Sequence, residues 1–340
     1  MRRSFSSRDK EPQLTALPAM AASPRKRIAV LGSLNIDLVS YVARHPLPGE
    51  TLTSSRFATA PGGKGANQAA AVGRLSRTAD ALADGSVDVA MLGAVGCDAY
   101  ADVLRSSLAA CGVDTGGLRA LQGQRTGLAI VVVDEPSGQN RIILSPEANH
   151  ALAPADFAAL PEPRPDLLVM QLEIRLDTVL QALAAANAAR VPVLLNPAPA
   201  QALPRDAYAG LAHLILNETE AAILAACPES DLDDEPGLQR VGSLFLGRGV
   251  DNVVVTLGAR GVYYATKAGK SALIPALEVD VVETTAAGDT FVGSYALAAV
   301  QAGPDGFDID EAVKAANRAA AITVSRRGSQ LSIPWKNELE

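Results

Sequence analysis

From residue 28 onward, short apolar runs alternate with longer alanine-rich stretches, and no other feature constrains the fold as strongly. The apolar runs lie near 28–34, 88–93, 167–171, 191–195, 212–216 and 252–257, with helical stretches between them. Strand and helix in alternation argue for crossover connections, hence for parallel strands, and a parallel sheet has to be covered by helices on both faces. The expected fold is α/β: three layers, α/β/α, around a mostly parallel central sheet. Two segments break the alternation, 38–60 and a hairpin-like 126–145 with its Asp134-Glu135-Pro136-Ser137-Gly138 turn. Because they lie either side of a helical unit, they are expected to form a small β layer outside the main sheet.

A chain of 340 residues with 48% hydrophobic content can bury one large core, or a large domain plus a small one. Its net charge of −7 argues against a general binder of nucleic acid or anionic membranes, so any phosphate must be met by local features. No run is apolar and long enough to span a bilayer. Cys97, Cys111 and Cys227 are odd in number and lack metal spacing, which suggests buried thiols in a reducing, cytoplasmic compartment. His45, His150 and His213 fall in no metal motif. Residues 1–26 are rich in Arg, Ser and Pro without apolar periodicity and read as a disordered extension before a domain spanning 27–340. Arg2, Arg3 and Arg8 suit a targeting segment, but Asp9 and Glu11 count against it; a start at Met20 is a third reading.

Residues 283–295, Glu-Thr-Thr-Ala-Ala-Gly-Asp-Thr-Phe-Val-Gly-Ser-Tyr, place small residues and an acid at the opening turn of an amphipathic helix. Val292, Tyr295, Ala296 and Ala299 recur at helical spacing and should face inward, leaving the backbone N–H groups of Ala286, Ala287, Gly288 and Asp289 without intrahelical partners. Free N–H groups at the positive end of a helix bind phosphate. The Asp289 carboxylate either complements the helix dipole or, beside a bound phosphoryl group, accepts a proton from an attacking hydroxyl.

A second glycine cluster, Pro61-Gly62-Gly63-Lys64-Gly65-Ala66-Asn67-Gln68, runs into the small-residue helix 69–75. It is not a Walker A loop, because Ala58 and Gly65 stand where that motif needs glycine and Ser or Thr. It is either a flexible turn or a place where backbone comes close to a hydroxylated or phosphorylated ligand, with Asn67 adding an amide that donates and accepts. The first apolar run ends in Asn35 and Asp37, which face the same side of an extended segment. At the carboxyl end of a sheet strand they suit sugar hydroxyls; an Asx turn is the competing explanation.

Together, Gly-Ser-Leu-Asn-Ile-Asp (32–37), Gly-Gly-Lys-Gly-Ala-Asn-Gln (62–68), Met-Gln-Leu-Glu (170–173), Asn-Pro-Ala-Pro-Ala (196–200), Asn-Glu-Thr-Glu (217–220), Thr-Leu-Gly-Ala-Arg-Gly (256–261) and Thr-Ala-Ala-Gly-Asp-Thr-Phe (285–291) resemble the ribokinase-like (PfkB) sugar and nucleoside kinases. They occur in that family's order and span about 28–340. The resemblance implies ATP-dependent phosphorylation of D-ribose at its 5-hydroxyl. It implies that the segments 38–60 and 126–145 form a lid that is also the contact of a homodimer. It implies that Asn35, Asp37, Gly62, Gly63, Lys64, Asn67 and Glu173 hold the sugar, and that Asp289 is the general base beside an anion hole of Ala286, Ala287, Gly288 and its own amide.

The resemblance further implies a nucleotide site at Asn217, Glu220, Thr256, Gly258, Gly261, Gly288 and Asn317, with magnesium near Glu220 through water. Local physics alone favours reading Asn217 and Glu220 as a capping box, a role that can coexist with the other because a cap leaves one carboxylate oxygen free, and it also reads 256–261 as a glycine turn. A monovalent cation, usually potassium in such enzymes, would sit at Glu283, Thr285, Thr323, Arg326, Gly328 and Ser332. Glu283 departs from the family, which most often has Asp there, so the cage must accommodate an extra methylene. Deoxyribose, fructose and adenosine are alternative acceptors, and a non-catalytic sugar or nucleotide sensor is an alternative of another class. Only 4% of residues are aromatic and none clusters near the polar motifs to stack a nucleobase, which favours a small sugar.

Overall fold

Side chains along the first strand, β1 (Arg27–Leu31), point alternately to two different cores: Ile28 and Val30 to one, Ala29 and Leu31 to the other. A strand buried on both faces belongs to the middle of a covered sheet. The computed structural model of the protein describes residues 25–302 and 306–339. The expected N-terminal extension lies, except for its last two residues, outside the described residues. In chain order the elements after β1 are β2 (Asn35–Val42), β3 (Arg56–Gly62), α1 (Lys64–Leu75), β4 (Asp88–Gly96), α2 (Ala99–Ala110), β5 (Leu118–Leu121), β6 (Gly127–Asp134) and β7 (Asn140–Ser145). There follow β8 (Leu167–Met170), α3 (Leu176–Ala189), β9 (Val193–Leu195), β10 (His213–Asn217), α4 (Glu218–Ala225), α5 (Glu235–Gly247) and β11 (Asn252–Thr256). The chain closes with β12 (Val262–Thr266), β13 (Ser271–Ile274), α6 (Ala287–Ala302) and α7 (Ile309–Val324).

The larger sheet has the order β13-β12-β11-β10-β9-β8-β1-β4-β5, parallel throughout except for β12 and β13, which add antiparallel at one edge. One face is covered by α1, α2, α6 and α7, the other by α3, α4 and α5, as expected of an α/β/α fold. The second sheet has the order β3-β2-β6-β7 and is built from the two segments that interrupt the alternation. Its hairpin β6–β7 turns where the Asp134-to-Gly138 signal placed it, with Ser137 N–H donating to Asp134 Oδ1 at 3.2 Å.

One expectation is corrected. Asn35 and Asp37 do not close β1 but open β2, in the small sheet. The chain leaves the large sheet at Gly32, where α1 presses against it: a side chain on Gly65 would lie 2.6 Å from Gly32 carbonyl carbon. Only glycine at both positions lets two backbones pack this closely. The thiols also differ from expectation, since only Cys111 is buried, Cys227 is half-buried and Cys97 is exposed. No helix among the described residues is long and apolar enough to cross a membrane.

Candidate active site

From β1 the chain first builds the sheet toward β4 and β5, then returns to build it the other way from β8. In open α/β sheets such a reversal leaves a crevice beyond the carboxyl ends of the strands, and ligands bind there. The segments that leave these ends here carry Ser33, Asn35 and Asp37 after β1, Gln171 and Glu173 after β8, Asn196 after β9, Asn217 and Glu220 after β10, and Thr256 at the end of β11.

Glu173 gathers the first group. Its Oε2 accepts from Ser33 Oγ at 2.6 Å, from the Lys64 backbone N–H at 3.1 Å and from Asn35 Nδ2 at 3.4 Å. Three donors on one oxygen hold the carboxylate still and leave Oε1 for a ligand. Asn149, fully buried, accepts from the Leu34 N–H at 2.9 Å and donates to Asn35 Oδ1 at 2.8 Å, which turns the Asn35 amide nitrogen toward Glu173. Asp37 lies above Gly62, where any side chain would come within 2.2 Å of its carboxylate. Burial, and after it the charges of Glu173 and Asp289, push the Asp37 carboxyl up to about 7. Burial pulls the Lys64 amine down, but Asp289, Glu173 and Glu220 outweigh it and hold the ammonium above the ordinary lysine value. Six of the seven residues expected at a sugar site, Asn35, Asp37, Gly62, Gly63, Lys64 and Glu173, thus lie together, and Asn67 follows one turn along α1 from Lys64.

Two helix starts face this crevice and they differ. At α1 the opening N–H groups are already used, Lys64 on Glu173 and Gly65 on Ser33 Oγ at 3.3 Å. At α6 they are not: among the described residues the N–H groups of Ala286, Gly288 and Asp289 meet no protein acceptor, and Gly288 is exposed. Ala287 departs from expectation, since its N–H has the Thr284 carbonyl at 3.3 Å. Ala286 is held at φ 61, a left-handed conformation unfavourable for a residue with a side chain, and it aims the following amides outward. An anion therefore finds its donors at α6. Behind them Asp289, buried, accepts from Asn67 Nδ2 and Gln68 Nε2, each at 3.0 Å. A fixed carboxylate beside unpaired helix-start N–H groups and a cluster of polar side chains is a layout suited to phosphoryl transfer. The sequence pattern of the family described as pfkB family carbohydrate kinase matches residues 25–336.

The chain belongs to the pfkB family of carbohydrate kinases. A ribokinase of Schizosaccharomyces pombe is 41% identical over 92% of this chain and 96% of its own length. Among solved structures, a ribokinase of Thermotoga maritima is 34% identical with a TM-score of 0.77, covering 92% of this chain and 97% of that one. An Arabidopsis thaliana ribokinase complexed with ribose and ATP is 27% identical with a TM-score of 0.80, covering 93% of this chain and 98% of that one.

On the other flank of this pfkB fold, Asn217 and Glu220 do form the capping box: Glu220 N–H donates to Asn217 Oδ1 at 2.7 Å and Asn217 N–H to Glu220 Oε2 at 2.9 Å. The cap leaves Glu220 Oε1 free, and burial raises this carboxyl above its ordinary value against the opposing pull of the Asn217 N–H and Lys64. Thr256 Oγ1 is tied to the Leu216 carbonyl at 3.3 Å, Gly258 and Gly261 form the turn after β11, and Asn317 Nδ2 donates to the Pro275 carbonyl at 3.3 Å.

The expected cation residues lie along two adjoining segments. Glu283 Oε2 accepts from the Gly328 N–H at 3.0 Å, so the longer side chain ties one segment to the other and keeps Oε1 free. The carbonyls of Thr285, Arg326 and Gly328 accept no hydrogen bond among the described residues, whereas the Thr323 carbonyl is already used by Ser325 and Arg326 N–H groups. Ser332 Oγ donates to the Ser329 carbonyl at 2.8 Å. An all-oxygen donor set of this kind fits a hard cation. No group of three or more His, Cys, Asp or Glu residues that could hold a metal exists among the described residues.

Sequence reasoning missed Ser33, Asn149 and the buried amides Gln68, Gln171, Asn196 and Gln330. Several lay inside the quoted motifs, and their signal was an uncharged polar residue within an apolar stretch, which a core tolerates only when hydrogen-bonded.

Proposed function

We propose that this chain transfers the γ-phosphoryl group of ATP to the 5-hydroxyl of D-ribose, giving ribose 5-phosphate and ADP, with Asp289 as general base. The observation that carries this is the position of Asp289, which is hydrogen-bonded to the sugar cradle through Asn67 while its own backbone N–H belongs to the open start of α6. Asn35, Asp37, Lys64, Asn67 and Glu173, with the backbone of Gly62 and Gly63, hold the sugar. Its primary hydroxyl oxygen attacks the γ-phosphorus as the proton passes to Asp289; the bond to the β–γ bridging oxygen breaks and ADP leaves. The N–H groups of Ala286, Gly288 and Asp289 meet the charge on the transferred group, in chemistry dominated by positioning and electrostatics.

The nucleotide lies across Asn217, Glu220 and Thr256, over Gly258 and Gly261, with Asn317 beside the base. Glu220 would hold magnesium through water, and the ion would supply charge neutralisation on the phosphates. Potassium is held by Glu283, Thr285, Arg326, Gly328 and Ser332, with Thr323 the weakest member because its carbonyl is already occupied. Two copies associate through the small sheet, which serves each as a lid.

The test is ADP release by the purified chain with MgATP against D-ribose, 2-deoxyribose, fructose and adenosine, each with and without potassium. Preference for ribose with phosphate on the terminal hydroxyl supports the reading. Turnover only with another acceptor would reassign the substrate, and ATP binding without turnover on any acceptor would leave a sensor.

A further inference from the structure

The Asp289 carboxylate receives one amide on each oxygen, and the two amides differ in kind. Asn67 is part of the sugar cradle. Gln68 is fully buried, faces protein on every side and has no surface to offer a ligand. Its Nε2 donates to Asp289 Oδ1 and to Asn196 Oδ1, each at 3.0 Å, while its Oε1 accepts from Gln171 Nε2 at 2.5 Å. Asn196 is fixed in turn by its own Nδ2, which donates to the Ile215 carbonyl of β10 at 3.0 Å. With both hydrogens and the acceptor engaged, Gln68 has one orientation, because a flipped amide would set its oxygen against Asp289 and Asn196 and its nitrogen against the Gln171 nitrogen.

We infer that Gln68, held by Gln171, is a positioning residue for Asp289 that fixes the rotation of the carboxylate before substrate arrives. The inference deepens the reading of Asp289 as the base and rests on it. Two features speak for a role beyond packing. Gln171 Oε1 is buried without a partner and occupies the space that a side chain on residue 32 would need, 1.9 Å from where its Cβ would stand. The amide at 171 thus satisfies Gln68 while leaving its own oxygen unsatisfied, an arrangement that packing alone does not call for. And the clamp is neutral: an Arg or Lys in place of Gln68 would hold the carboxylate equally firmly but make it a weaker base.

The experiment compares wild type with Gln68→Met, Gln68→Glu and Gln171→Met, measuring the single-turnover rate of ribose phosphorylation per ribose-binding site counted by calorimetry, alongside ribose and ATP dissociation constants. Gln68→Met should lower the rate by about 10- to 100-fold, a share of what a positioned base contributes, with both dissociation constants within about threefold. Gln68→Glu keeps the shape but exchanges the donor for an acceptor, and should lose the rate similarly; Gln171→Met should lose less. A wild-type rate in Gln68→Glu would overturn the inference, as would parallel losses of rate and ribose affinity in Gln68→Met. If the Gln68 variants do not fold, an unchanged rate in Gln171→Met overturns it. Failure of the underlying reading is distinguishable, because Asp289→Asn would then retain turnover whatever the Gln68 variants do.

Discussion

Asn67 Nδ2 donates to Asp289 Oδ2 at 3.0 Å although 222 residues separate them in the chain. The bond joins the start of α1 to the start of α6, and so joins the proposed sugar cradle to the proposed anion hole. Asp289→Asn keeps the outline of the side chain but replaces one accepting oxygen with an NH2 group and removes the base. The expected result is a fall in kcat of roughly 10²- to 10⁴-fold with ribose and ATP binding within several-fold, read from steady-state kinetics and calorimetry. Equal losses in binding and turnover would remove Asp289 from the base role.

Gly62→Ala tests the cradle without touching the chemistry. The added carbon would come within 2.2 Å of one Asp37 oxygen and 2.4 Å of the other, so the carboxylate must turn away. Ribose KM should rise about tenfold or more, the scale of losing one hydrogen bond to a charged group, with ATP KM unchanged. A normal ribose KM would show that Asp37 does not face the sugar.

Asp37 also predicts how stability responds to pH. Its carboxyl stands at about 7 in the folded chain against an ordinary 3.8, so between those values the folded state holds a proton that the unfolded state has released. Stability therefore falls as pH rises through that window and levels off above it. Asp37→Asn should remove this loss, stabilising the ligand-free protein at pH 8 by on the order of 2 to 4 kcal/mol while leaving it almost unchanged at pH 4. Denaturant unfolding at the two pH values is the measurement, and equal effects at both would contradict the assignment.

If Glu283 serves potassium, the cation should raise wild-type turnover, and Glu283→Ala should abolish the response while also loosening the 326–332 segment that its carboxylate ties at Gly328. Assays in potassium, sodium and tetramethylammonium chloride at equal ionic strength separate a specific site from general screening. A full potassium response in Glu283→Ala would dismiss this carboxylate as a ligand.

Register places Phe57, Ile130 and Ile143 on the same face of the small sheet as Leu38, and all three are exposed. Exposed apolar residues in a row on a sheet mark a contact surface. Light scattering should give a dimeric mass for the wild type and a monomeric mass for Ile143→Glu; a monomeric wild type at working concentration would end the proposal.

The large sheet was legible because its central parallel strands are short apolar runs buried on both faces, as Leu167 to Met170 and Val253 to Val255 illustrate. The breaks in the alternation likewise announced the second sheet. What sequence could not fix was where the chain passes from one sheet to the other: Ile28 to Asp37 reads as one extended run, yet it divides after Leu31, beside the close approach of Gly65 to Gly32. At the site, Asp289 and Glu173 were legible as acids in glycine-rich or strand-end settings. Gln68 and Asn149 were not, because a buried amide looks like any polar residue until its partners, which lie 221 and 114 residues away for the bonds to Asp289 and Asn35, are brought beside it.

The division of the first apolar run has a further consequence. Asn35 and Asp37 travel with the small sheet, while Glu173, Asn67 and Asp289 travel with the large one. The two halves of the cradle therefore belong to different sheets, and the Asn35 amide on Glu173 is a direct bond between them. A bound polyol would be the missing mortar, bridging donors on one side to acceptors on the other.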